Sequence, residues 1–423
     1  MGASMPDDFE AMWSALAPVG RSAASGGYFR QPYTSAETEL RAWFGEQCAA
    51  RDLVVEPDGN GNLLAWWNPS QVEPSSRVER SSAVEPVETA VLIGSHLDSV
   101  LDGGAYDGPL GVVSSFAAID LLRSRGVVPS RPVVVGAFAE EEGSRFGLAC
   151  LGSRLATGAT TPDAAASLRD RSGTPVAESM SAAGLSPSLG PADWVARIGC
   201  FLELHVEQGR DLVDRSAPIG LATEIWPHGR YRFDFTGEAN HAGTTRMEDR
   251  RDPMLTYAMT ALAADKQARR AGQRATFGRV EVAPNGTNAV PSRVTAWLDA
   301  RCSSDAELIR LVAEIKRQGD ERADRDGTSL TVTSESVSGA VSFDPLLTGR
   351  LSTALADGWG QVPVIPTMAG HDAGVLAAAG VPTAMIFVRN PTGISHSPDE
   401  HAATADCLLG VEALADALAE LVA

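Results

Sequence analysis

Cysteine is scarce in this chain of 423 residues, which contains five of them. They are scattered and odd in number, and no two form a Cys-x-x-Cys pair: Cys48, Cys150, Cys200, Cys302 and Cys407. The simplest interpretation is a reduced cytoplasmic enzyme with unreactive, buried thiols. A catalytic cysteine is therefore disfavoured.

Long apolar runs and positive charge are also in short supply. No apolar stretch approaches the roughly 20 residues that a membrane-spanning helix needs, and residues 1–10 lack the basic and apolar segments of a signal peptide. The net charge of −19 disfavours nucleic acid and anionic membranes as partners. It leaves room for a small anionic substrate held by a few local arginines. We expect a cytoplasmic protein that acts on a small molecule.

The length and the order of apolar segments predict two domains. Strand and helix patterns alternate at first, which predicts an α/β domain with a mostly parallel sheet flanked by helices. Residues 221–335 follow the order β-α-β-β-α-β, which predicts an inserted ferredoxin-like α+β domain. The catalytic domain would then consist of residues 1–220 and 336–423. Residues 71–89 are rich in Ser, Pro, Val and Glu, and we predict an exposed loop insertion there.

Acids and histidines follow the apolar strands at their C-terminal ends, where α/β sheets bind ligands. The run at 90–93 leads into His96 and then into a glycine-rich turn at 102–108. The run at 133–138 leads into three glutamates. Two later strands lead into histidines. Together they provide a candidate metal set: His96, Asp107, Glu142, His205 and His396. Each residue alone has an ordinary structural explanation, such as turn formation by an Asp-Gly pair. Their shared position at strand ends favours a metal site.

Three imidazoles and two carboxylates suit two borderline divalent ions, zinc first, with manganese, cobalt or nickel as alternatives. Two such ions can share one carboxylate and together polarise a carbonyl and activate water. Three adjacent glutamates, 140–142, would repel one another without positive charge nearby. One of them can therefore bind metal while its neighbour acts as a general base.

Six segments taken in order carry a family resemblance: residues 96–98, 102–108, 141–146, 204–209, 240–245 and 395–398. They resemble the M20-type metallopeptidase superfamily, and more closely its branch of N-carbamoyl-L-amino-acid hydrolases, allantoate amidohydrolases and β-ureidopropionases. The resemblance covers nearly the whole chain. It implies that His96, Asp107 and His205 hold one ion and that Asp107, Glu142 and His396 hold the other. His205 points to the carbamoylase-like branch, because other branches carry an acid there.

The resemblance also implies roles in catalysis. Glu141 would be the general base and later the proton donor to the leaving group, and Asp98 would orient His96. His241 would face the active site of a partner subunit and stabilise the oxyanion. The inserted domain would thus serve as a lid and as the contact surface of a homodimer.

Four further residues would bind substrate by the same resemblance: Gln208, Asn288, Arg301 and His371. Arg301 would clamp the substrate carboxylate with two hydrogen bonds. The implied reaction is hydrolysis of the linear C–N bond of an N-carbamoyl amino acid to an amino acid, carbon dioxide and ammonia. Allantoate or ureidoglycolate hydrolysis, β-ureidopropionate hydrolysis and N-acyl amino acid deacylation are the alternatives within the same chemistry.

Two functions of other classes are disfavoured. A metal-free scaffold protein would lack ligands, and none is missing here; a peptidase for extended peptides would not need Arg301. Two departures from the family pattern leave the exact substrate open: Arg246 replaces a usual proline, and Trp226 and His228 stand in an unusually aromatic entry to the inserted domain. Glu140 has no assigned role, and a loop acid is its favoured interpretation.

Overall fold

A computed structural model describes residues 5–68 and 89–423. The loop insertion predicted at 71–89 therefore lies outside the described residues, apart from Thr89. The chain divides into two compact units. We call them the large unit, which comprises Met1–Thr223 and Ser342–Ala423, and the small unit, which comprises Glu224–Val341.

The strands of both units follow the chain in this order: β1 (Val54–Pro57), β2 (Leu63–Trp67), β3 (Ala90–His96), β4 (Val133–Phe138), β5 (Ile198–Val206), β6 (Ile219–Ile225), β7 (His228–Thr236), β8 (Asn240–His241), β9 (Arg274–Ala283), β10 (Ala289–Val290), β11 (Arg293–Arg301), β12 (Ser329–Ser338), β13 (Val341–Ser342), β14 (Val364–Thr367) and β15 (Thr383–Val388).

The helices follow the chain in this order: α1 (Met5–Leu16), α2 (Ser35–Ala50), α3 (Pro109–Ser124), α4 (Leu151–Thr157), α5 (Pro162–Ser167), α6 (Val176–Ala182), α7 (Asp211–Asp214), α8 (Pro253–Ala271), α9 (Asp305–Asp326), α10 (Pro345–Trp359), α11 (Asp372–Ala378) and α12 (Thr404–Val422). Short 3-10 helices occupy Asp193–Arg197 and Met247–Asp249.

The large unit is organised around a sheet whose strands are ordered β1-β2-β4-β3-β5-β15-β6-β13, with β14 paired to β6. The four central strands, β4, β3, β5 and β15, run parallel to one another. Antiparallel β2 and β6 flank them. The central strands are almost entirely buried, as expected for a parallel sheet covered on both faces. The predicted sheet with helices around it is confirmed.

Helices α3 and α12 pack against each other and against this sheet. Residues such as Phe116, Ile119, Val411 and Leu418 are fully buried in the resulting core. Helix α3 begins with Pro109 in its first turn, where the missing N–H costs nothing. Its start lies directly after the glycine-rich turn, so the helix fixes the position of that turn relative to β3.

The small unit contains a four-stranded antiparallel sheet ordered β12-β7-β11-β9. Helices α8 and α9 pack together and against this sheet. The core between them includes Phe233, Phe235, Leu298 and Ile315. Apart from the short β8–β10 pair, the element order is β-α-β-β-α-β, that of the split β-α-β motif.

Two further expectations concern the whole chain. All five cysteines are free and buried, which confirms the predicted burial of the thiols. Among the residues that the structure describes, none of the helices has the length and apolar character needed to cross a membrane.

Candidate metal centre

The candidate site lies where the central parallel strands end. His96 is the last residue of β3, and His205 is the last residue but one of β5. Glu141 and Glu142 follow β4, and His396 lies in the loop after β15. Because these strands are parallel neighbours, their carboxyl ends meet at one edge of the sheet. Side chains that are far apart in sequence therefore converge there.

The first ligand group consists of His96, Asp107 and His205, all buried. Atom Oδ1 of Asp107 lies 3.4 Å from Nε2 of His96 and 3.2 Å from Nε2 of His205. Neither Nε2 atom makes a hydrogen bond within the described residues, although both are buried. Two buried imidazole nitrogens without hydrogen bonds and one carboxylate oxygen between them form a set of donor atoms that suits a divalent cation.

Main-chain carbonyls fix the tautomer of both histidines. Nδ1 of His96 lies 3.1 Å from the carbonyl oxygen of Asp98, and Nδ1 of His205 lies 2.8 Å from that of Val206. A carbonyl oxygen only accepts, so Nδ1 is the protonated nitrogen in each ring. The lone pair of each Nε2 is therefore free to bind a metal ion.

The second ligand group consists of Asp107, Glu142 and His396. Nε2 of His396 lies 3.4 Å from Oδ2 of Asp107 and 3.3 Å from Oε2 of Glu142. Asp107 thus offers Oδ1 to the first group and Oδ2 to the second. The His396 side chain is 49% exposed, so the second group is open to solvent while the first is enclosed.

The electrostatics of the two groups differ. Burial acts to raise the pKa of Asp107, but the histidines around it hold that pKa well below its usual range. Burial, together with the nearby charge of Asp107, raises the pKa of Glu142 to about 7. A bound cation would favour the charged form of both carboxylates. The residues present therefore fit a divalent metal in charge as well as in ligand type.

The Asp98 carboxylate has contacts besides the predicted one with His96. Its carboxylate accepts hydrogen bonds from the backbone N–H groups of Glu141 and Glu142, each at 3.2 Å. Nδ1 of His96 lies closer to the main-chain oxygen of Asp98, at 3.1 Å, than to its carboxylate, at 3.5 Å. The Asp98 side chain therefore holds the loop after β4 at least as directly as it orients His96.

Glu141 is placed beside the first group. Its Oε2 lies 3.7 Å from Nε2 of His96, and its Oε1 accepts a hydrogen bond from the Cys150 thiol at 3.3 Å. Burial raises the pKa of Glu141 well above its usual range, and nearby carboxylates add to the effect. A carboxylate in such surroundings is suited to accept and then release a proton.

Glu140 has a structural function. It is fully buried and adopts a positive φ of 54°. Its Oε1 accepts hydrogen bonds from the N–H groups of Arg145, at 3.0 Å, and Phe146, at 2.6 Å. The interpretation as a loop acid is correct in kind, but nothing in the sequence indicated that this acid is buried and anchors the loop.

Two predicted substrate residues of the large unit also lie at the site. Nε2 of Gln208 donates a hydrogen bond to Oδ2 of Asp107 at 2.6 Å. The imidazole of His371 packs edge-on against that of His205, with ring centroids 4.5 Å apart. Burial lowers the pKa of His371 well below its usual range, which keeps this ring neutral.

Sequence reasoning missed Glu400, which lies four residues after His396. Its Oε1 accepts hydrogen bonds from the N–H groups of Tyr106, at 2.8 Å, and Asp107, at 2.9 Å. An acid in the same loop as a candidate ligand was the available signal. The hydrogen bonds themselves depend on how two distant loops meet, which a sequence pattern does not contain.

The remaining predicted residues lie in the small unit. Strand β8 pairs with β10, and Ala242 N–H donates to the carbonyl of Asn288 at 2.9 Å, so His241 and Asn288 share one corner of the unit. Arg301 ends β11 and donates to both carboxylate oxygens of Asp299, at 2.9 and 3.2 Å. It lies opposite His228 in the strand register.

The His241 ring is held in one orientation. Its Nδ1 accepts hydrogen bonds from the N–H groups of Gly243, at 2.9 Å, and Thr244, at 3.1 Å. Because Nδ1 acts as an acceptor, the proton of the neutral ring is on Nε2. The exposed end of His241 is therefore a hydrogen-bond donor.

Comparisons with known proteins point to one family. The family model described as peptidase family M20/M25/M40 matches residues 92–420. An N-carbamoyl-L-amino acid amidohydrolase of Geobacillus stearothermophilus is 34% identical over 411 residues, which cover 96% of each chain. An allantoate amidohydrolase of Escherichia coli strain K12 is 32% identical over 399 residues, covering 94% of this chain and 93% of that relative. An amidase of the hydantoinase/carbamoylase family from Burkholderia multivorans superposes with a TM-score of 0.85 at 27% identity, covering 99% of this chain and 98% of that one.

Proposed function

The chain belongs to the M20/M25/M40 peptidase family, and we propose that it is a metal-dependent amidohydrolase that cleaves the linear C–N bond of an N-carbamoyl amino acid or a related ureido acid. The observation that carries this proposal is the pair of ligand groups that share Asp107, with Glu141 beside them. The names of the similar proteins support the choice of a ureido substrate.

The metal complement follows from the donor set. His96, Asp107 and His205 would hold one divalent ion, and Asp107, Glu142 and His396 would hold a second. Imidazole and carboxylate donors suit zinc, with manganese, cobalt and nickel as alternatives. Ions bound there supply positive charge that polarises the substrate carbonyl and lowers the pKa of water.

Glu141 moves the proton in this reaction. It accepts a proton from the attacking water as the oxygen bonds to the ureido carbonyl carbon, and it delivers that proton to the nitrogen that leaves. The bond between that carbon and that nitrogen then breaks. After decarboxylation of the carbamate, the products are an amino acid, carbon dioxide and ammonia. Cys150 and Asp98 keep the Glu141 carboxylate and backbone in place for both transfers.

The small unit carries residues proposed for substrate recognition and for the oxyanion. Arg301 would bind the substrate carboxylate. Asn288, Gln208 and His371 are further proposed substrate contacts. His241 of a second copy would donate a hydrogen bond from Nε2 to the oxyanion. The backbone donors on Nδ1 of His241 support this role, because they leave Nε2–H as the outward group.

We further propose a homodimer formed through the small unit. Helix α8 exposes an apolar stripe of Leu255, Met259 and Leu262, of which Leu262 is 64% exposed. Strand β9 is an edge strand of the sheet and is largely exposed. An apolar stripe beside an open sheet edge is typical of a surface that a second subunit covers. A cytoplasmic location stays a prediction from the sequence.

Allantoate hydrolysis is the second candidate, because an allantoate amidohydrolase matches nearly the whole chain. A panel of metal-loaded assays separates the two. N-carbamoyl amino acids, allantoate, ureidoglycolate, β-ureidopropionate and N-acyl amino acids are each scored for ammonia and amine release. We expect the highest kcat/KM for an N-carbamoyl amino acid, and a preference for allantoate would establish the second candidate.

The same assay with Glu141→Gln tests the chemistry. Removal of the general base should lower kcat by about 10²–10⁴-fold, while the metal content stays unchanged because Glu141 belongs to neither ligand group. A Glu141→Gln protein as fast as the parent would contradict the mechanism. Purified protein without bound metal, and without rescue by zinc, manganese or cobalt, would contradict the metal centre itself.

A further inference from the structure

Glu400 is a buried acid that belongs to neither ligand group. It is 5% exposed, and its Oε1 accepts the two backbone hydrogen bonds from Tyr106 and Asp107. Hydrogen bonds from N–H groups to a carboxylate are stronger than those between neutral groups. Glu400 therefore holds the backbone of Asp107, the residue that the two ligand groups share, with a pair of charge-assisted hydrogen bonds.

The other carboxylate oxygen of Glu400 reaches the loop that carries His396. Its Oε2 lies 3.2 Å from the Ser395 hydroxyl, which lies 3.2 Å from Oδ2 of Asp107. This is the same Asp107 oxygen that faces His396. Glu400 thus connects the Asp107 turn to the loop next to His396 by both of its oxygens.

The glycine-rich turn is shaped to admit this side chain. A Cβ atom on Gly104 would overlap the carboxylate, and also Cβ, of Glu400. Glycine at this position therefore leaves the space that Glu400 occupies. The turn, Glu400 and Ser395 form one connected arrangement around the Asp107 carboxylate.

We propose that Glu400 is a positioning residue for the metal centre. It fixes the backbone at Asp107 and the loop that carries Ser395 and His396. Oδ2 of Asp107 is thereby held 3.4 Å from Nε2 of His396. The second ligand group depends on both segments, whereas His96 and His205 of the first group are held by their own strands. Loss of Glu400 should therefore weaken the second metal position more than the first. This inference deepens the proposed two-ion centre and rests on it.

Metal titration of the metal-free chain tests this role without relying on activity. Isothermal calorimetry with zinc and the absorption spectrum with cobalt report the first and second equivalents separately. We expect Glu400→Ala to weaken the second equivalent by about 10–100-fold and the first by less. Glu400→Gln should bind nearly as the parent does, because its amide oxygen still accepts from both N–H groups. Gly104→Ala should weaken the second equivalent as Glu400→Ala does, because the added methyl group displaces the Glu400 carboxylate. It replaces Glu400→Ala as the test if that variant does not fold.

Asp406→Ala is the matched control. Asp406 is equally buried, at 5% exposure, but its carboxylate bonds to Arg389. This variant should unfold at a lower temperature yet bind both equivalents as the parent does. If the parent fails to bind two equivalents, the proposed metal centre is wrong. Suppose instead that the parent binds two equivalents. The positioning role is then wrong if Glu400→Ala binds both equivalents as the parent does or binds both equally more weakly. It is also wrong if Glu400→Gln binds the second equivalent as weakly as Glu400→Ala does.

Discussion

At the scale of single residues, groups outside the two proposed ligand groups orient the histidines and hold the loop after β4. The carbonyl oxygens of Asp98 and Val206 set the tautomers of His96 and His205. The Asp98 carboxylate holds the backbone of Glu141 and Glu142. One carboxylate that accepts from two consecutive N–H groups thus holds the backbone of both the proposed base and a proposed ligand.

This double contact leads to a prediction for Asp98. Asp98→Ala leaves both N–H groups without their acceptor, so we expect kcat to fall by about 10–100-fold. Asp98→Asn keeps one carbonyl oxygen as an acceptor, so its kcat should fall less than that of Asp98→Ala. Steady-state kinetics of the metal-loaded variants measure the difference.

Asp58→Ala is the control for Asp98. Its carboxylate also accepts from two backbone N–H groups, those of Asn60 and Asn62, each at 2.9 Å, but it belongs to neither ligand group. We expect a lower unfolding temperature with a parental kcat. A parental kcat in Asp98→Ala, or an equal loss of kcat in both variants, would contradict the role of Asp98.

The sequence was most informative about residue types and least informative about burial. The residues predicted as metal ligands carry donor atoms that recognisably suit a metal, and the structure groups them. Glu140 and Glu400 have the same type of side chain as the predicted ligand Glu142, but their carboxylates accept hydrogen bonds from backbone N–H groups. Which N–H groups lie within reach of a carboxylate depends on the packing of distant loops. A pattern in one sequence does not specify that packing.

At the scale of elements, the glycine before α3 allows the helix to begin against the His96 imidazole. Gly108 has a φ of +86°, in a region that L-residues rarely adopt. A Cβ atom there would overlap the His96 imidazole. The start of α3 and the end of β3 can therefore approach closely only with glycine at this position.

Gly108→Ala should weaken metal binding. The added methyl group displaces the His96 ring, so we expect the first equivalent to bind at least about tenfold more weakly. Metal titration followed by thermal unfolding measures both binding and stability. Gly126→Ala provides the control, because Gly126 also has a positive φ, +73°, but a Cβ there meets nothing within 4 Å. The free energy of unfolding of Gly126→Ala should fall by about 1–2 kcal/mol, and this variant should bind metal as the parent does. Equal metal affinity in Gly108→Ala and Gly126→Ala would contradict the proposed clash with His96.

The elements that the sequence predicted best are those with a continuous apolar run or a clear period. The sequence pattern predicts a helix over 306–325 and a strand over 294–301, and helix α9 and strand β11 match these spans to within one residue at each end. The apolar pattern over 112–125 predicts a helix there, but helix α3 begins earlier, at Pro109, because proline suits the first helical turn. The short strands β13 and β14 were not predicted, since edge pairing across four residues or fewer leaves no pattern to detect.

At the scale of the whole molecule, the small unit is where the proposed assembly can be tested. We expect Leu262→Asp to convert the dimer to a monomer, because it places a charge in the apolar stripe of α8. Sedimentation velocity measures the change. Leu346→Asp makes the same substitution at a residue of the large unit that is 83% exposed, and this variant should stay dimeric. A dimeric Leu262→Asp protein would exclude the α8 stripe as the contact surface.

The proposed exchange of His241 between subunits can be separated from an effect within one subunit. Glu141→Gln lacks the proposed base and His241→Ala lacks the proposed oxyanion donor, so each protein alone should be nearly inactive. In a hybrid dimer, one site would combine the intact Glu141 of one copy with the intact His241 of the other. Random pairing makes about half of the dimers hybrids, each with one complete site. Co-produced chains should therefore recover about a quarter of the parental activity. If His241 serves its own subunit, every site lacks one group and no activity returns. Introducing Leu262→Asp into both chains should abolish the recovery, because the rescue requires contact between the copies.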